Sequence, residues 1–491
     1  MHYWQSNIPA SALLVDLAAL AGLLAVAMVL VRVIPVLRRL SIPAAILAGL
    51  LGLALGPSGA GLVPIEQDAL ELLVYHAFAL MFIAVGLQSA PRQRRPGAAR
   101  SFAVGNATVG VAQAILGLLF VAAWLALEPL HPGFGLMITL GFQQGPGQAL
   151  SLGGAWESAG MLHGGQIGLI FATLGFLYCF VLGVPMVWIA RRRGWLTREE
   201  TAGLAAPSEP MTERPADPEA HATQEPLSTQ LVIMGCIYFA VFGIITGLVA
   251  LLPPGSKLGD TLWGMHFILG SLLAIGLRRG AQRMGHDAPF HDGMLARISV
   301  VTVELTTAGA IAAVRLEVLG AWLVPILLMT LLAGVLTLAG TLWLSRRAFP
   351  EAPFSHGLVL FGAGTGTIST GLALLRTIDP ELRGPVARNA VIGATASIPF
   401  NAPLFMVVIP LVAVPQWGHG PVAALGIPLA ALGVYLAALV VSWRVFTPLR
   451  LLRPLRSPWP PDPPEGADSR PANDGLASSE AVAYIPSQGD A

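Results

Sequence analysis

Apolar residues fall along this chain in long blocks parted by short polar breaks, and the block lengths carry the first information. A helix needs roughly 20 apolar residues to cross a hydrocarbon core of about 30 Å. Blocks of that kind run near residues 11–35, 69–88, 101–127, 163–190, 229–252, 294–314, 319–345, 385–413 and 421–447. Shorter ones, Ile42 to Gly56 and Thr261 to Leu277, are bounded by clear breaks, which brings the expectation to eleven spans. Two more apolar stretches, 134–158 and 354–378, are interrupted by glycine and do not read as simple spans. They predict re-entrant hairpins.

The order of these blocks repeats. Residues 1–194 and 229–415 each hold five spans, with an interrupted stretch before the last. An odd number of spans inserts the second set upside down relative to the first. The expected fold is an all-α polytopic membrane protein with two inverted five-span repeats. Each repeat carries a Gly-rich re-entrant hairpin, and one extra span follows in 416–450. Residues 195–228 and 451–491 are rich in Pro, Ala and acidic or hydroxyl side chains, and read as a disordered linker and tail.

Composition agrees and adds an orientation. Only 11% of residues are charged and 55% are hydrophobic, against about 25% charged in soluble domains. Arginines cluster at 38–39, 92–95, 191–193, 278–283, 346–347 and 450–456, all on one side of an eleven-span arrangement, while Lys257 and Arg315 fall on the other. The positive-inside rule makes the first side cytoplasmic, with the N-terminus outside and the C-terminus inside a cell membrane. No basic n-region precedes the first block, so it reads as a retained span. The net charge of +1 gives no sign of nucleic-acid binding. The two cysteines, Cys179 and Cys236, are too far apart for a CxxC motif.

The interrupted stretches carry the chemistry. Irregular backbone survives at membrane depth only beside protein or a water-filled cavity, because unpaired amides and carbonyls are costly in hydrocarbon. Glycine-broken segments at matching places of inverted repeats point to a transport site near the midplane. Gly145-Pro146-Gly147-Gln148 in the first stretch answers Gly364-Thr365-Gly366-Thr367 in the second, and Gln143 and Gln144 stand just before the first as further substrate candidates. Helix N-termini there attract carboxylates, and amide or hydroxyl groups complete a substrate site. Ser369 and Thr370 supply hard oxygens for a sodium ion. Asn401, between Pro399 and Pro403, is a further substrate candidate. Glu304 lies within a span, where a carboxylate points to function: cation ligand or proton carrier. Asn106 and Gln113 read as hydrogen bonds between helices.

The chain resembles the glutamate:sodium symporter family through ALMFIAVGLQSA (79–90), GPGQALSLGGAWESAG (145–160) and GAGTGTISTGLALLRTIDP (362–380). The resemblance covers roughly residues 11–415. It implies a homodimer with a scaffold and a mobile transport unit, and sodium-coupled uptake of glutamate or a related small carboxylate or amino acid by alternating access. Sodium would be the coupling ion, with no other cofactor. In place of the Gly-Gly-His-Gly-Thr type of first loop in those carriers, this chain has Gln143-Gln144-Gly145-Pro146-Gly147-Gln148. Two alternatives stand beside this reading: a membrane-embedded ligand sensor signalling through the linker or tail, and a proton-coupled organic-anion transporter using Glu304. An enzyme is not expected, since no metalloprotease, P-loop or nucleophile–base motif occurs.

Overall fold

A computed structural model describes residues 10–89, 97–197, 200, 226–253, 258–286, 289–382, 384–413 and 421–446. Among them every regular element is helical. The first half includes α1 (Ala10–Val33), α2 (Ala44–Leu55), α3 (Gln67–Leu87), α4 (Gly97–Trp124), α5 (Pro132–Met137), α6 (Pro146–Glu157) and α7 (Gly164–Arg192). A π-helical turn, Ile138–Gln144, extends α5 up to Gly145. The second half includes α8 (Pro226–Ala250), α9 (Leu258–Gly264), α10 (His266–Arg283), α11 (Asp292–Ala312), α12 (Leu323–Ala348), α13 (Pro353–Gly364), α14 (Ile368–Leu375), α15 (Pro385–Ala396), α16 (Ile398–Pro403) and α17 (Pro421–Phe446).

Eight of these helices are long and apolar enough to cross a membrane. They coincide with eight of the nine full-length hydropathy blocks; the protein is a multi-pass membrane protein. The ninth block is bent by 43° between α15 and α16. A second bend, of 55°, separates α9 from α10 where a single short span was expected. The expected linker and tail fall largely outside the described residues. Glu200 is one of the linker residues inside them. Its carboxylate accepts the Thr197 N–H at 2.7 Å and the Ser355 N–H at 2.8 Å, capping the first turn of α13.

Two packing groups form, and each draws on both halves of the chain. In the first, α3 lies against α10 and α11, and α11 lies against α2, with α1 and α8 outside them. Its core includes Ile83, Leu87, Met234, Val241, Ala274 and Leu295. In the second, α4 is central. It touches α5, α12, α15 and α17, while α7 packs on α6 and α12, and α13 on α12 and α14. Cys179, Leu338, Leu342, Phe354, Phe361 and Leu374 fill part of its interior. Helices in matching places of the two halves find matching neighbours: α3 with α10 as α11 with α2, and α4 with α15 as α12 with α7. The seam between the groups runs where α6 meets α3, α9 and α11.

Long apolar faces of α1, α8, α12 and α17 stay exposed, including Val29, Phe239, Leu328 and Val434. Such faces on a multi-pass protein meet lipid, where all-round hydrophobicity is no penalty. Polar side chains collect elsewhere.

Candidate functional site

The two interrupted stretches become two helix breaks that touch. In the first, the π turn ends at Gly145, whose backbone sits at φ +96° and ψ +169°. That conformation is open essentially to glycine alone. Pro146 then starts α6, where its missing N–H costs nothing. In the second break α13 stops at Gly364, Thr365 and Gly366 turn the chain, and Thr367 caps α14. A Cβ on Gly145 would lie 3.8 Å from Thr367 Cγ2. The N-terminal ends of α6 and α14 therefore converge on one place.

Helix α4 supports both breaks from one face. Asn106, Gly110 and Gln113 follow an i, i+4, i+7 spacing and so line up. Gln143 donates its amide to the Asn106 carbonyl, and its Oε1 accepts from Gln144 Nε2 at 3.1 Å. The missing side chain at Gly110 makes room for it: a Cβ there would sit 2.0 Å from Gln143 Oε1. One turn on, Gln113 Nε2 donates to the Gly364 carbonyl at 2.6 Å and to Thr337 Oγ1 at 3.0 Å. From the other side, Asn106 and Asn401 both donate to Ser397 Oγ, at 3.4 and 3.3 Å. A string of neutral polar groups thus links the first break to the bent segment α15–α16.

Hydroxyls close the second break. Thr365 is fully buried and donates to Phe361 O at 2.9 Å. Thr370 Oγ1 accepts the Thr367 N–H at 2.9 Å and lies 2.7 and 2.8 Å from the carbonyls of Thr367 and Gly362. Several buried polar atoms have no partner among the described residues, including Gln113 Oε1, Gln148 Oε1 and Ser151 Oγ. Gln113 and Gln148 are only 3% and 2% exposed. Buried orphans of this kind call for a ligand or water, because desolvation without a partner costs about 1–3 kcal/mol each.

The sequence candidates divide accordingly. Gln143, Gln144, Gly145, Gln148, Gly364, Thr365, Gly366 and Thr367 flank the two breaks, and Asn401 joins them through Ser397 and Asn106. Gly147 faces the seam instead: a Cβ on it would lie 2.2 Å from the Phe78 ring of α3. A Cβ on Gly366 would meet Thr370 Oγ1 at 2.5 Å and the Phe176 ring at 2.9 Å. Ser369 is exposed and Thr370 buried on α14. Glu304 is half-buried on α11, whose main neighbours are α2 and α3, whereas those of α14 are α7, α13 and α15. No hydrogen bond joins Glu304 to Ser369 or Thr370 among the described residues. Nor do those residues contain a group of three or more His, Cys, Asp or Glu able to hold a metal ion.

Ser397 and Gly110 escaped the sequence reading, and Asn106 and Gln113 were legible only as generic links between helices. The usable signal was the face Asn106–Gly110–Gln113 within NATVGVAQ, and the i, i+4 pair Ser397–Asn401. Comparison of the chain with protein-family models, curated proteins and solved structures finds no match.

Proposed function

We propose that the protein is a secondary active transporter that carries a small carboxylate or amino acid with sodium across the cell membrane by alternating access. The observation that carries this reading is the meeting of two helix N-termini, at Gly145 and Thr367, inside a polar enclave of an otherwise apolar interior. Each such terminus is equivalent to about half a positive charge. The N–H groups of Gly147 and Gln148 on α6, and of Ile368 and Ser369 on α14, lie in first turns that helices leave without internal partners. Together they form a site for a carboxylate.

The matched order of helices in the two halves supports an inverted repeat, with the breaks as hairpins entering from opposite faces. The group around α3 and α11 would serve as frame, and the group around α4 as the body that moves along the α6 seam. Freed carbonyls, with the hydroxyls of Ser369 and Thr370, are the proposed sodium ligands. Glutamate is the substrate that the resemblance to glutamate:sodium symporters suggests.

Glu304 favours a second reading. It is a half-buried carboxylate on a span, with no ion-pair partner among the described residues, and it could carry a proton in place of sodium. Uptake into proteoliposomes decides between them. An inward sodium gradient should accumulate a radiolabelled carboxylate or amino acid, and Glu304→Gln should leave that accumulation intact. Accumulation driven by a pH gradient without sodium, lost in Glu304→Gln, would transfer the coupling to the proton. No accumulation under either gradient would remove the transport reading.

A further inference from the structure

The charge inventory around the breaks defines the substrate more narrowly than a carboxylate. No Asp, Glu, Lys or Arg occurs in residues 101–127, 129–156, 158–190, 318–345, 352–375 or 389–443. Those ranges contain both breaks and most of the helices of the second group; the charged residues of α3, α9 and α11, which meet α6 along the seam, lie outside them. Among the described residues the side chains bonded at the breaks are neutral: the amides of Gln113, Gln143 and Gln144, the hydroxyls of Thr365 and Thr370, and the thiol of Cys179, which bonds both threonines. On the side of the second group a ligand meets two helix N-termini and neutral dipoles.

The unfilled valences are of two kinds. The helix ends offer N–H donors. The side chains offer acceptors, and one orientation is settled: Gln113 must turn its nitrogen to the Gly364 carbonyl, because a carbonyl oxygen only accepts. Gln113 Oε1 is then a buried acceptor beside the second break with no donor among the described residues. Gln148 Oε1, in the first turn of α6, is another. Paired sets of orphan donors and orphan acceptors are the complement of a molecule that carries a carboxylate and an ammonium group together.

We infer that the substrate is a zwitterionic α-amino acid with an uncharged side chain, its carboxylate on the N-termini of α6 and α14 and its ammonium group on the amide oxygens of Gln113 and Gln148. The inference rests on the transport reading above. A zwitterion brings its own counter-charge into the low-dielectric interior, and the two helix ends suffice for its one carboxylate. A dicarboxylate, glutamate included, would bury a second carboxylate with no cation among these side chains to pair it, which is costly.

Proteoliposomes with an inward sodium gradient test this with four radiolabelled probes: glutamine, alanine, glutamate and succinate. Glutamine or alanine should accumulate at least about tenfold more than either dicarboxylate, the factor expected when one buried charge is left unpaired. The des-amino analogue of the better probe should compete at least about tenfold more weakly than the probe itself, for loss of a charge-assisted hydrogen bond. Gln113→Met and, separately, Gln148→Met should lower apparent affinity for the amino acid while leaving that of the des-amino analogue unchanged. Equal losses for both ligands would mark these glutamines as structural and overturn the assignment. Preference for glutamate or succinate would overturn the zwitterion while leaving transport standing. If none of the four accumulates, the transport reading fails and takes this inference with it.

Discussion

The two helix breaks meet at one point, yet they are built on opposite principles. The first, at Gly145, depends on a conformation that only glycine adopts and on partners far away in sequence: Asn106 and Gly110 hold Gln143. The second, at Thr365 to Thr367, has no positive φ and is closed mainly by hydroxyls within eight residues of one another. Its long-range support comes from Gln113 and from the Cys179 thiol of α7, which bonds Thr365 and Thr370. One break is held by the surrounding helices and the other largely holds itself. Movement of α4 would therefore disturb the first break more than the second.

Substitutions that separate these two constructions should differ most at Gly145. Gly145→Ala forces a side chain into a glycine-only conformation, at about 1–3 kcal/mol. That strain should slow uptake roughly fivefold to a hundredfold, whereas Thr365→Val, which loses one hydroxyl, should cost about 1 kcal/mol of stability. Thermal melting and uptake, measured together, check both. Equal losses in the two variants would erase the contrast.

Gly110→Ala comes next. Its methyl group would displace Gln143 and destabilise the protein by about 1–3 kcal/mol, as overpacking does. Removing Gln143 as well should restore part of that loss, because two side chains competing for one space are coupled. A purely additive double variant would mean that Gln143 does not occupy the Gly110 niche.

Thr370→Val should cost about 1 kcal/mol by removing the hydroxyl that caps α14, and Thr370→Ser should return most of it. The smallest effect belongs to exposed Ser369. Ser369→Ala should change stability by less than about 0.5 kcal/mol, yet raise the sodium concentration for half-maximal uptake about threefold, less than the loss of one charge-assisted hydrogen bond. An unchanged sodium requirement would take Ser369 out of the cation site.

Hydropathy alone located the membrane helices, since burial in lipid demands a length and an apolar composition that any window can register. The expected helix at 69–88 is Gln67–Leu87, and that at 163–190 is Gly164–Arg192. Bends were harder to read. Gly264-Met265 and Ser397 interrupt apolar runs without a change in mean hydropathy, so the 55° and 43° turns left no block boundary. The breaks themselves were visible, because Gly, Pro and Gln in apolar surroundings contradict a simple span. Which helix supports them was not. In a membrane protein hydrophobicity does not distinguish a buried face from a lipid-facing one, so the neighbours of α4 could not be ranked. The face formed by Asn106, Gly110 and Gln113 acquires meaning only once Gln143 and Gly364 are seen against it.

The central claim is that two helix breaks from opposite halves of the chain share one site reached alternately from the two faces of the membrane. Single cysteines test it most directly: Gln144→Cys and Ser369→Cys, each in a chain whose Cys179 and Cys236 are replaced by alanine. A membrane-impermeant thiol reagent should reach position 144 from one face and position 369 from the other, and sodium with substrate should shift both rates. Labelling of both positions from the same face under every condition would contradict the claim.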